Sequence, residues 1–148
     1  MDIKNQTAIK ALLPNSPMLS DLREQIKSDP LPAAVLWVET TLRPAWVRTA
    51  EYLYWKVCAI VAPDRAMQLT VGLAQMKVWL WKEFLQTQTH KNPAIADWEN
   101  PLVNYYAVKW YLSQKNISSW LDVSLVYTGG INEYYTMLLY DALIRLSW

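Results

Sequence analysis

The chain has 148 residues, enough for one domain with a real core, and 53% of them are apolar against 18% charged, which excludes a disordered chain. With 14 basic and 13 acidic residues the net charge is +1, and no basic stripe is visible, so the electrostatic footprint of a nucleic-acid binder is missing. One cysteine, Cys58, and one histidine, His90, exclude an intrachain disulfide, a cysteine-cluster metal site and most histidine-based zinc sites or triads.

Residues 5–12 and 18–28 read as short helices with polar faces, the second opened by capping residues at Ser20 and Asp21. The first residues lack the charged and apolar regions of a secretory signal, and apolar runs are broken well before the length of a membrane span. The expectation is a protein made in the cytoplasm, with no membrane span. Asp29-Pro30-Leu31-Pro32 breaks the chain, and Pro32 then suits the first turn of a helix running to about Leu42. Pro44 ends or kinks that helix. A long helix follows over 45–61, whose Trp46, Ala50, Leu53, Val57 and Ile60 (or Val61) recur at three- and four-residue steps and are expected to face the core. Pro63-Asp64 marks a turn, and 72–86 reads as an apolar helix.

Asn92-Pro93 and Asn100-Pro101 are helix starts with proline near the first position, the second opening Leu102–Gln114. Ile117–Val126 is a further short helix, Gly129-Gly130 a break, and Ile131–Leu146 the last helix. Strand signals are weak. The fold class expected is all-α, about seven or eight helices around one core. Residues 1–30 form an N-terminal helical extension and 31–148 the main domain, in one compact unit.

Ala33–Val38 is an apolar run that ends in Glu39, which takes a place where a leucine would be expected. Burying a carboxylate costs several kcal/mol, by roughly the usual scale, unless it is paired or neutralised, and an apolar setting raises its pKa. A general acid needs that property. The alternative is a structural ion pair with Arg43, four residues on.

Four segments resemble one family. Glu39-Thr40-Thr41-Leu42-Arg43-Pro44 is similar to the Glu-Ser-x-Phe-x-Pro signature of lytic transglycosylases in the lysozyme-like superfamily, with Thr40 for Ser and Leu42 for Phe. Gly72-Leu73-Ala74-Gln75-Met76 resembles the family's Gly-Leu-Met-Gln-Ile block. Asn100-Pro101-Leu102-Val103-Asn104 resembles its Asp-Pro-x-x-Asn segment. Tyr127-Thr128-Gly129-Gly130 resembles its Ala-Tyr-Asn-Ala-Gly block, with Thr128 for Asn. The matches stand in the family's order and contain all three glycines of the chain. Each has a plainer reading: Thr70 caps a helix whose Leu73, Met76 and Leu80 pack inward, Asn100 caps a helix that carries Asn104 on a wet face, and Gly129 ends a helix.

The resemblance implies a lysozyme-like (SLT-like) domain with an active-site cleft, cutting the MurNAc-β-1,4-GlcNAc bond of peptidoglycan. It makes Glu39 the catalytic acid and places Thr40, Gly72, Leu73, Gln75, Asn104, Tyr127 and Thr128 at the substrate, with Trp37, Trp79, Tyr105 and Tyr106 as groove-lining aromatics. No cofactor or metal is expected. The partners are a glycan strand and, further, a cognate inhibitor or delivery protein; the site of action is the cell wall. Glu39 and Gly72 are 33 residues apart, more than the family's usual spacing, and Glu51 is the competing acid. A hydrolytic muramidase would use a second carboxylate, for which Glu51 and Asp64 are the candidates. A non-catalytic helical module that binds glycan or protein is the remaining alternative.

Overall fold

In the computed structural model, residues 24–89 and 94–146 are described, and the expected helix over 5–12 and the Asn92-Pro93 start lie outside them. The described chain is mostly helical, as expected, with one small hairpin. Residues 24–28 are helical and place Ile26 in the same core as the main body.

Helix α1 (Leu31–Leu42) starts with proline in its first turn and is buried from Pro32 to Thr40. A helix apolar on every side has no face to give to water, so it lies at the centre, packed against the last helix and the helix over 101–114. Pro44 stops it, because the residue before a proline avoids the helical region and Arg43 is displaced to φ −126°, ψ 81°.

Helix α2 (Ala45–Val61) has the expected bounds but the opposite orientation. Its apolar stripe faces outward: Trp46, Leu53, Val57, Ile60 and Val61 are all more than half exposed. Tyr52 and Cys58 are the residues it buries. Two aromatic contacts lie on the inward side. Tyr52 stacks on Trp98 at 5.9 Å, and Trp55 meets the same ring edge-on at 4.9 Å. Pro63 does not make a simple turn; it opens a short helix, α3 (Pro63–Gln68).

The expected helix over 72–86 begins late. Thr70–Val71 (β1) and Met76–Lys77 (β2) pair antiparallel, Val71 opposite Met76, and helix α4 runs over Val78–Thr89. Gly72 (φ +82°) and Gln75 (φ +49°) both take the left-handed conformation, which a helix forbids. The hairpin is pinned from below by Trp81, whose Nε1 donates to the Val71 carbonyl at 3.2 Å.

Helix α5 (Ile95–Trp98) leads into α6 (Pro101–Gln114), capped by the Asn100 side chain, which accepts from the Leu102 and Val103 amides. In place of one helix over 117–126 there is a 3₁₀ turn (Trp120–Asp122) followed by α7 (Val123–Tyr127). Gly129 (φ +77°) ends α7, and α8 (Glu133–Leu146) closes the fold. Its Tyr135, Leu139, Ala142 and Leu146 are buried at steps of four, three and four. Among the described residues no helix is long and apolar enough to cross a membrane.

Candidate active site

Glu39 sits in the last turns of α1 and is 7% exposed. Its Oε1 accepts a hydrogen bond from the Tyr135 hydroxyl at 2.8 Å. Burial pushes its carboxyl from the ordinary 4.5 up to about 7; the Tyr135 hydrogen bond and the positive charge of Arg43 oppose this, and the negative charge of Glu51 adds to it. Burial is the larger effect because one hydroxyl and one partly exposed guanidinium replace the full hydration shell of an anion. A carboxyl in this setting can carry a proton near neutral pH.

The ion pair expected as the alternative for Glu39 is not formed. Arg43 turns instead to Glu51 on α2, with Nε 3.3 Å from Oε1. The same Nε lies 3.4 Å from Gln75 Oε1, while Gln75 Nε2 donates to Glu51 Oε2 at 3.0 Å and to the Gly72 carbonyl at 3.1 Å. Arg43, Glu51 and Gln75 therefore form one polar network joining α1, α2 and the hairpin. It also holds Gln75 in a conformation that costs a non-glycine residue roughly 1–2 kcal/mol. The charges of Arg43 and Glu51 both act on Glu39, Arg43 lowering its pKa and Glu51 raising it. Asp64, exposed in the first turn of α3, exerts no such influence.

Two tyrosines complete the surroundings. Tyr127 and Tyr135 stack at 6.2 Å, and Tyr111 meets Tyr127 edge-on at 5.8 Å. Burial, and then the Glu39 charge, raise the pKa of both Tyr127 and Tyr135. The Tyr127 hydroxyl is buried and has no hydrogen-bond partner among the described residues. A ligand or water that reaches Glu39 would find in it a free donor and acceptor.

Other residues expected at a substrate serve the scaffold. Asn104 is fully buried and not on a wet face: Oδ1 accepts from the Ala74 amide at 2.9 Å, and Nδ2 donates to the Asn100 and Trp98 carbonyls at 2.7 and 2.9 Å. It ties the hairpin turn to the α5–α6 junction and has nothing left for a sugar. Gly72 permits a close approach of backbone to backbone; a Cβ there would lie 2.9 Å from the Trp98 carbonyl oxygen. Leu73 is buried and its amide donates to that same oxygen at 3.0 Å. Thr40 is buried with its hydroxyl on the Leu36 carbonyl at 2.7 Å. Thr128 lies with its hydroxyl 2.8 Å from the Ser124 carbonyl and 2.9 Å from that of Gly130. Trp37 and Tyr105 are buried, whereas Trp79 and Tyr106 are exposed.

Sequence reasoning missed Tyr135, although it sets the geometry of Glu39. Its signal lies in the buried stripe of α8, where a tyrosine stands at a position that otherwise takes Leu or Ala. A groove of about 530 Å³ opens elsewhere, lined by Trp120, Tyr134, Met137, Tyr140 and Asp141, and includes none of Glu39, Glu51 or Gln75. Comparison with known proteins returns nothing: no family model matches the chain, and neither does any curated protein or solved structure.

Proposed function

We propose that this chain is a peptidoglycan-cleaving glycosidase of lysozyme-like fold, a lytic transglycosylase acting on the MurNAc-β-1,4-GlcNAc bond, with Glu39 as its single catalytic acid and base. The observation that carries the reading is a carboxyl 7% exposed, held by one tyrosine and able to stay protonated up to about pH 7. It is supported by the Glu51 charge that acts on that carboxyl and by the Tyr127 ring stacked on Tyr135, from segments far apart in sequence, with Gln75 hydrogen-bonded to Glu51.

Protonated Glu39 gives its proton to the bridging oxygen as the glycosidic C1–O bond breaks, and the sugar passes through an oxocarbenium-like state. The new carboxylate then takes the proton of the muramic C6 hydroxyl as that oxygen bonds to C1. The product is a 1,6-anhydro sugar, and Glu39 recovers its proton. Tyr135 fixes the carboxyl's orientation throughout, and the free Tyr127 hydroxyl offers a hydrogen bond to the substrate. Glycan strand is the partner. Access to the cell wall would come through a delivery protein, and a cognate inhibitor is the natural safeguard.

One observation favours a second reading, hydrolysis on the same fold: the Glu51 charge acts on Glu39, and in that reading Glu51 would exchange its contacts with Arg43 and Gln75 for a water. Digestion of peptidoglycan by wild type, Glu39→Gln and Glu51→Gln, with mass analysis of the products, tests both. Anhydro-muropeptides from wild type and Glu51→Gln, and none from Glu39→Gln, are expected. Reducing-end products that depend on Glu51 would replace the transglycosylase with a muramidase. Binding without products from any variant would make the chain a glycan-binding module.

A further inference from the structure

Helix α2 is fastened to the domain along one side only. On that side Tyr52 and Trp55 hold Trp98, Arg48 Nε pairs with Glu99 Oε1 at 2.8 Å, and Glu51 enters the network with Arg43 and Gln75. The opposite side carries Trp46 (76% exposed), Leu53 (60%), Val57 (56%) and Ile60 (83%), with Val61 and the small Ala50 also exposed. The steps 46, 50, 53, 57, 60 alternate four and three. Their mean of 3.5 is the period of a coiled-coil seam, which keeps an apolar line facing a partner helix over several turns.

The size of the patch calls for a partner. With an aromatic side chain taken at roughly 200 Å² and the aliphatic ones somewhat less, the stripe and the neighbouring Tyr54 expose on the order of 700–800 Å². The largest apolar patch on a typical monomer is about 300–600 Å², and a stable interface buries about 800 Å² on each side. Flanking positions say which partner. Val47, Thr49, Tyr54 and Val61 are uncharged, Lys56 is the one charged flank on α2, and the Arg65 guanidinium of α3 lies 5.7 Å from the Tyr54 ring; no alternation of opposite charges selects a different chain.

We propose that this face is a homodimer interface, in which the α2 helices of two copies pack antiparallel about a two-fold axis. In the register that places Leu53 against Val57 of the second copy, Ala50 meets Ile60, and the Lys56 residues of the two copies lie on the same side of the seam, close to the two-fold axis. Both are flanking positions, and their long stems carry the two ammonium groups out to water at the edge of the seam. Each copy keeps its Glu39 surroundings on the far side of α2, so the dimer carries two sites, each with its Glu51 wall braced from behind.

The test is sedimentation equilibrium of the full chain, with paired charge variants. Wild type is expected at about twice 17.2 kDa. Leu53→Glu and Val57→Lys are each expected to weaken the dimer by at least roughly 30-fold and to run as folded monomers, because a lone charge buried in an interface is left unpaired. Mixing the two variants is expected to restore a dimer, because only the antiparallel register sets the new carboxylate against the new ammonium. A monomeric wild type overturns the proposal, including one that instead binds lipid vesicles. So does a dimer that persists in Leu53→Glu, or a mixture that stays monomeric. Loss of helical circular dichroism in Leu53→Glu also overturns it, since the face would then be covered within the chain itself.

Discussion

Glu39→Gln separates the cost of burying the carboxylate from everything else the residue does. The amide keeps the shape and can still accept from Tyr135, but it cannot ionise. Below the ordinary pKa of 4.5 the wild-type carboxyl is protonated in both folded and unfolded chains, and stability is complete. Between 4.5 and about 7 the folded chain holds a proton that the unfolded chain has lost, so wild-type stability falls by about 1.4 kcal/mol per pH unit. Above about pH 7 the group is charged in both states and the loss, about 3 kcal/mol in all, is finished. Gln escapes this loss. Urea unfolding of both proteins at half-unit steps from pH 4 to pH 8 reads the difference directly, since all other titrations cancel. The variant is expected to gain on wild type by about 3 kcal/mol across that range, with most of the gain between pH 5 and 7. A difference that stays flat within about 1 kcal/mol would show that the carboxyl is solvated, and the assignment of the acid would go with it.

Tyr135→Phe removes the hydroxyl that favours the charged form of Glu39, so the fall in stability, and any alkaline limb of activity, is expected at higher pH than in wild type; a shift to lower pH would contradict the hydrogen bond. Asn104→Ala leaves the Ala74 amide without an acceptor at a fully buried site, while the Trp98 and Asn100 carbonyls keep the Leu73 and residue-104 amides, and is expected to cost about 1–3 kcal/mol in urea unfolding. Gly72→Ala drives a methyl to within 2.9 Å of the Trp98 carbonyl oxygen at φ +82°, and is expected to cost about 2 kcal/mol or more, with an altered near-ultraviolet signal from Trp98.

Much of the helical frame was legible along the chain because its signals are local. Pro32, Pro44 and the Asn100-Pro101 pair set helix boundaries through backbone geometry and capping that no distant contact has to supply. The burial of Glu39 was legible for a similar reason: a run of apolar residues on every face of α1 leaves only an interior position for it. Residues 70–77 were misread because Gly72-Leu73-Ala74-Gln75-Met76 has helical propensity, and only the grip of Asn104 and Trp81 on the turn makes a hairpin of it.

The sequence by itself determined a mostly helical chain with a carboxylate at the end of its most apolar helix, because propensity, capping and hydrophobicity act within a few residues. The tertiary structure alone decided which side of α2 faces in: the inward side is the one whose Tyr52 stacks on, and whose Trp55 meets edge-on, a tryptophan more than forty residues away. It also chose Tyr135 over Tyr127 as the donor to Glu39 and sent Arg43 to Glu51. Direction in space is a property of packed neighbours, and neither periodicity nor spacing carries it.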